Sequence, residues 1–252
     1  MFTKEKFADY DEFVEKLRLQ VPADFNFALD VMDETARRMP HAPAMIHIDD
    51  QGRRKDYDFA FFARESSRLS NALVSRGIKA KDRVMIILYR RVEFWVAMLA
   101  LHKIGAVAVP SPSQLTPGDI VYRVNFAGIR CIICENSVSD RVEQALGQCP
   151  GLDLLIEAGA EKSGSGWLNY DQLVADMPDA YQPEIKPGAD DPLLIFFSSG
   201  TTGPPKMVEH THNYPLGHWI TAAYWHDLDP GDIHLTLADT GWGKAVWGKF
   251  YG

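Results

Sequence analysis

Apolar residues recur at spacings of three and four over Phe7–Leu19 and again over Phe27–Met39, so the chain opens with two predicted helices, the second stopped by Pro40. An apolar run at Ala44–Ile48, the turn Asp49-Asp50-Gln51-Gly52 and a second run near Lys55–Tyr57 predict a hairpin. Beyond it, helix and strand patterns alternate. Phe59–Ser75 is helical and closes at Gly77, Arg83–Leu88 has the length of a buried parallel strand, and Val92–Ile104 is helical up to Gly105. Ala106–Val109 reads as a strand stopped by Pro110, Pro117–Ala127 as a helix, and Arg130–Cys134 as a third strand. Ser139–Leu146 then reads as a helix and Leu152–Ile156 as a short strand. The alternation predicts an α/β fold, a mainly parallel sheet layered with helices.

Gly164–Gly166 mark a surface loop, and a short helix is predicted near Tyr170–Met177. Tyr181–Pro192, rich in proline and acid, reads as a connector. It divides the chain into an α/β subdomain over residues 1–190 and the start of a second over 191–252.

The connector leads into Leu193–Phe197, apolar throughout and hence a buried strand, and then at once into Ser198, Ser199, Gly200, Thr201, Thr202, Gly203, Pro204, Pro205 and Lys206. Two glycines let backbone N–H groups approach phosphate oxygens, four hydroxyls can donate to them, and Lys206 adds a flexible positive charge. This is not a Walker A loop. Only Thr201 and Thr202 separate the glycines, and Pro204-Pro205 intervene before the lysine. A Ser/Thr/Gly run can also be a plain surface turn, but here composition, order and the preceding strand agree on a polyphosphate site.

Composition narrows the classes. At 252 residues with 46% hydrophobic and 24% charged positions, the chain can bury a substantial core. A net charge of −8 argues against nucleic acid as the main partner and leaves a nucleotide open. No apolar run reaches the ~20 residues that span a bilayer, and the N-terminus lacks a secretory apolar core, so a cytoplasmic location is expected. Cys131 and Cys134 form a C-x-x-C around Ile132-Ile133; the apolar insert favours a buried strand over a redox pair or half a zinc site. His210 and His212 could be read as a metal pair, though packing or capping suits them better, and no third ligand is evident. Arg90-Arg91, after a predicted strand, stands where ligands bind in α/β sheets or is a solvated pair, and Asp239 is a candidate cap.

SSGTTGPPK resembles the signature loop of the adenylate-forming superfamily, which includes acyl-CoA synthetases, luciferases and peptide-synthetase adenylation domains. The whole chain is similar to the N-terminal portion of that fold. Met207 departs from the glycine that most members carry after the loop lysine; with Glu209 and His210 it is similar to the medium-chain acyl-CoA synthetase branch. Asn26–Ile46 and Ala238–Gly252 are similar to the same branch. The resemblance implies activation of a carboxylate by ATP, with Mg²⁺, to an acyl-adenylate, followed by transfer to coenzyme A. It implies that Ser198–Lys206 holds the β- and γ-phosphates and that Trp242, Gly243 and Lys244 border the acyl pocket, where Gly243 leaves room for a group larger than acetyl. Trp242 and Trp247 can equally be core aromatics beside a helix start. The adenine, ribose and catalytic-lysine motifs of the family do not map onto this sequence. The expectation is therefore an N-terminal fragment without the C-terminal domain, inactive by itself. An amino-acid or aryl-acid adenylation domain and a non-catalytic nucleotide-binding module are the alternatives.

Overall fold

The computed structural model describes residues 4–161, 163–198 and 203–251. Helix α1 (Tyr10–Lys16) is capped by Asp9, whose side chain accepts from the Glu12 N–H. It is shorter at both ends than the periodicity predicts. The second predicted helix is a wide π-type turn, Phe27–Asp33, running into α2 (Glu34–Arg38). The Asn26 side chain accepts from the N–H groups of Ala28 and Leu29 at its start. Strands β1 (Pro43–Ile48) and β2 (Arg54–Asp58) form the predicted hairpin as a separate two-stranded sheet.

The main body alternates as the pattern requires: α3 (Phe59–Ser75), β3 (Arg83–Ile87), α4 (Val92–Ile104), β4 (Val107–Pro110), α5 (Pro117–Ala127), β5 (Ile129–Glu135), α6 (Ser139–Leu146) and β6 (Leu154–Ala158). A two-residue strand, β7 (Leu168–Asn169), precedes α7 (Tyr170–Ala175). After the connector come β8 (Pro192–Ser198), β9 (Lys206–Thr211), α8 (Tyr214–Ile220), a second π-type turn at Thr221–Trp225, and α9 (Gly243–Lys249). Seven strands form one sheet in the order β7-β6-β5-β3-β4-β8-β9, parallel except for β9.

Both faces of the sheet are covered, and the strands show it by alternation. Val84 and Ile86 of β3 enter a core with α3 and α4, while Met85 and Ile87 enter a second core with α5 and α6. The same alternation separates the cysteines of β5: Cys131 packs in the first core and Cys134 in the second. They point to opposite faces, and burial pushes both thiols up, so neither a redox pair nor a shared metal site is built there.

One buried charge ties the first core together. Lys103 of α4 has no solvent exposure, and its ammonium lies 2.8 Å from Asp33, 3.0 Å from the Ser67 hydroxyl and 3.1 Å from the Ala63 carbonyl. The helix ends at Gly105, whose φ of +77° is the left-handed turn a C-terminal cap needs. A Cβ there would also meet the Pro187 ring at 2.7 Å, so the connector packs directly on this cap. No helix among the described residues is long and apolar enough to cross a membrane.

Candidate functional site

Strand β8 owes its place to Leu193, Leu194 and Ile195, all fully buried, and it lies parallel to β4. Ser198 therefore emerges at the carboxyl end of the parallel strands, the edge where open α/β sheets bind ligands. The chain returns antiparallel as β9, and the last pair of this hairpin is Ser198 with Lys206. Thus the two ends of the candidate phosphate loop are held side by side. Ser199, Gly200, Thr201 and Thr202 lie outside the described residues. Gly203, Pro204 and Lys206 are exposed, Pro205 is half-buried, and Lys206 has no carboxylate partner among the described residues.

Helix α5 supports the loop from below. The Tyr122 hydroxyl donates to the Pro205 carbonyl at 2.9 Å. The Tyr122 and Phe126 rings meet Phe197, with centroids 6.2 and 6.5 Å away. Between them Arg123 lays its guanidinium over Phe197, 5.2 Å from the ring centroid.

The segment Asp239-Thr240-Gly241-Trp242 lies across the same sheet edge. The Asp239 carboxylate accepts from Arg90 Nε at 3.0 Å and Nη2 at 2.8 Å. The Thr240 hydroxyl donates to the Leu88 carbonyl and accepts from the Arg90 N–H at 3.3 Å. Gly241 is packed so closely that a Cβ would fall 2.4 Å from Ser111 C and Pro112 N. Arg90 is thus solvated, with 62% of its side chain exposed, and is also tied to this segment through Asp239, its acceptor. Arg91 pairs instead with Glu93 at 2.6 Å.

Loop and segment meet at one small cavity of about 80 Å³, lined by Pro110, Pro112, Arg123, Phe197, Pro205, Gly241 and Trp242. The structure so brings Trp242 and Pro205 of the sequence-predicted sites to a common wall. Gly243 starts α9 above Phe196, and a Cβ on it would touch that ring at an ordinary 3.8 Å. Lys244 is exposed on the same helix and lines no cavity described here. A wider cleft of about 770 Å³ lies beyond Arg90, between the β1–β2 hairpin and α4, and no described residue of the phosphate loop borders it.

His210 and His212 serve packing. The His210 ring sits 4.1 Å from that of Tyr214, and His212 is fully buried 6.3 Å from His102, centroid to centroid. Burial pulls His212 down to about 4. Among the described residues no three His, Cys, Asp or Glu side chains gather to hold a metal ion.

Sequence reasoning passed over Arg123 and Tyr122. The available signal was an arginine inside the apolar stripe Ile120, Val124 and Ala127 of α5, where a charge needs a reason.

Comparison with known proteins bears on the family and the fold. The chain is 31% identical over 256 residues to acyl-coenzyme A synthetase ACSM3, mitochondrial, of Mus musculus, covering 99% of this chain and 44% of that protein. It is 35% identical over 240 residues to acyl-coenzyme A synthetase ACSM5, mitochondrial, of Homo sapiens, covering 92% of this chain and 41% of that protein. The chain thus spans less than half the length of these relatives. Among solved structures it resembles acetoacetyl-CoA synthetase from Streptomyces lividans, with a TM-score of 0.80 at 23% identity over 90% of this chain and 36% of that one. The anthranilate CoA ligase AuaEII in complex with anthranoyl-AMP gives a TM-score of 0.74 at 23% identity, over 81% of this chain and 38% of that one. The family described as AMP-binding enzyme matches residues 32–251, and the chain belongs to it.

Proposed function

We propose that this chain is the phosphate-gripping part of an ATP-dependent acyl-CoA synthetase. The observation that carries the reading is the β8–β9 hairpin, which presents Ser198 and Lys206, an exposed lysine with no carboxylate partner among the described residues, at the carboxyl edge of the sheet, beside the cavity walled by Trp242. In the proposed reaction a carboxylate oxygen attacks the α-phosphorus of ATP, and the bond to pyrophosphate breaks. The coenzyme A thiolate then attacks the acyl carbon of the adenylate, and AMP leaves. Neither step needs a protein nucleophile; positioning and neutralisation of charge supply the catalysis. The loop's part is to hold the β- and γ-phosphates, Ser198 by its hydroxyl and Lys206 by its charge, and so to stabilise the departing pyrophosphate. Bound Mg²⁺ would add positive charge on the same oxygens.

Gly243 leaves the Phe196 ring without a side chain against it, since a Cβ there would stand at 3.8 Å, and this favours an acid larger than acetate, of the medium-chain or aromatic class. We further propose that residues 1–252 by themselves bind nucleotide without turning it over.

Calorimetric titration of MgATP into this chain tests the first claim: Lys206→Ala is expected to weaken binding about tenfold, the worth of one charge-assisted contact of ~1.4 kcal/mol. Equal affinity for the variant would remove the loop assignment. Thioester formation by the chain alone from a carboxylate, MgATP and coenzyme A would refute the second.

A further inference from the structure

Arg123 is only 8% exposed, and among the described residues its Nε and Nη1 atoms are buried with no hydrogen-bond partner. A guanidinium cannot shed its charge, and buried N–H groups are nearly always satisfied, so this arrangement asks for an acceptor. The nearest carboxylate on its own helix does not provide one. Asp119, a turn earlier, is committed to the N–H and hydroxyl of Thr116 at 3.0 and 2.6 Å. The other walls of the cavity that Arg123 lines, three prolines, a glycine, Phe197 and Trp242, supply no acidic side chain. The side chain is held in place from one face by Phe197 and needs no rearrangement to receive a ligand.

The cavity, of about 80 Å³, has room for one oxyanion group against the guanidinium. Guanidinium matches such a group through paired N–H donors. It also lies at the carboxyl edge of the parallel strands, next to the Pro205 end of the phosphate loop.

We propose that Arg123 is an oxyanion-binding residue and that the cavity it lines takes one anionic head group, either a phosphoryl group of the nucleotide or the carboxylate of the acid. This deepens the acyl-CoA synthetase reading and rests on it for the identity of the anions. Arg123 would then add a fixed, pre-oriented charge below the loop, opposite the mobile charge of Lys206.

The test is titration of wild type, Arg123→Met and Lys206→Ala with MgATP, inorganic pyrophosphate and benzoate, with chloride as control. Arg123→Met removes the donors and keeps an apolar side chain of similar length, so a purely structural role predicts a changed melting temperature at most and unchanged binding. The proposal expects at least a tenfold loss of affinity for pyrophosphate and MgATP, or for benzoate, and the anion that loses affinity identifies the source. If Arg123→Met fails to fold, the Arg123 Nε–H resonance of the wild type decides: it must shift on addition of pyrophosphate or benzoate and not of chloride. Loss of MgATP binding in Lys206→Ala with no loss for MgATP, pyrophosphate or benzoate in Arg123→Met overturns the proposal and leaves the phosphate-loop reading intact. A response of Arg123 to pyrophosphate or benzoate in a chain that ignores MgATP keeps the oxyanion site and removes the nucleotide. No response to any of the anions removes both.

Discussion

His212 is fully buried and neither ring nitrogen finds a partner among the described residues, while His102 beside it is bonded only through Nε2, to the Tyr251 hydroxyl at 3.1 Å. Both rings are therefore held neutral by burial, His212 at about 4 and His102 in the same direction. The folded values lie below the unfolded value near 6.5, so the unfolded chain binds more protons between them. Stability from these rings is complete above about pH 6.5 and is lost as pH falls toward 4, by about 3 kcal/mol for His212. Denaturant titrations at pH 7 and pH 4.5 should show this loss, and His212→Phe should flatten it; an unchanged slope in the variant would exclude His212 as its origin. Gly241 gives a second expectation at this scale. Its missing side chain is what lets the segment lie on Ser111 and Pro112, so Gly241→Ala forces backbone apart. A cost of about 1–3 kcal/mol is expected in thermal or chemical unfolding, together with a change in Trp242 fluorescence.

Among the elements, α5 carries the support of the site, and its start is a capping box in which Thr116 and Asp119 exchange side-chain and backbone hydrogen bonds. Thr116→Ala is expected to cost about 1 kcal/mol and, by freeing Asp119 toward Arg123, to weaken oxyanion binding as well. A stability loss with unchanged binding would separate the cap from the site. Helices α3, α4, α5 and α6 were legible in the sequence to the residue because each carries its own stop or start, Gly105 and the Thr116-Pro117 pair among them. Their signals are local. Strand β7 is two residues long and β9 is a sheet edge whose residues are exposed or only partly buried, so neither has an apolar run to read. The loop Ser198–Lys206 was visible because its chemistry is contiguous. Its neighbours were not: Arg90 finds Asp239 across a separation of 149 positions, and Arg123 reaches Pro205 and Trp242 only through the fold. Periodicity cannot report which distant segments share a sheet edge.

Across the whole molecule the apolar surface is unevenly covered. Ile233, Leu235 and Leu237 alternate along an extended segment and are 82%, 78% and 83% exposed, while Thr236 between them is buried. Such a row binds apolar probes and favours self-association. Leu235→Glu is expected to lower dye binding and concentration-dependent light scattering with little change in melting temperature; no change in either would mean that the row is covered in solution. The order of strands has a different consequence, one of time. Strands β3 to β6 are joined by short crossovers, whereas β8 pairs with β4 only after residues 111–191 have been traversed. Closing that long excursion carries the larger entropy cost, so the hairpin bearing the loop should join a sheet that has already formed. A ligand gripping the loop then stabilises contacts absent from the folding transition state. It would leave the folding rate nearly unchanged and slow unfolding, giving the occupied chain a longer kinetic lifetime.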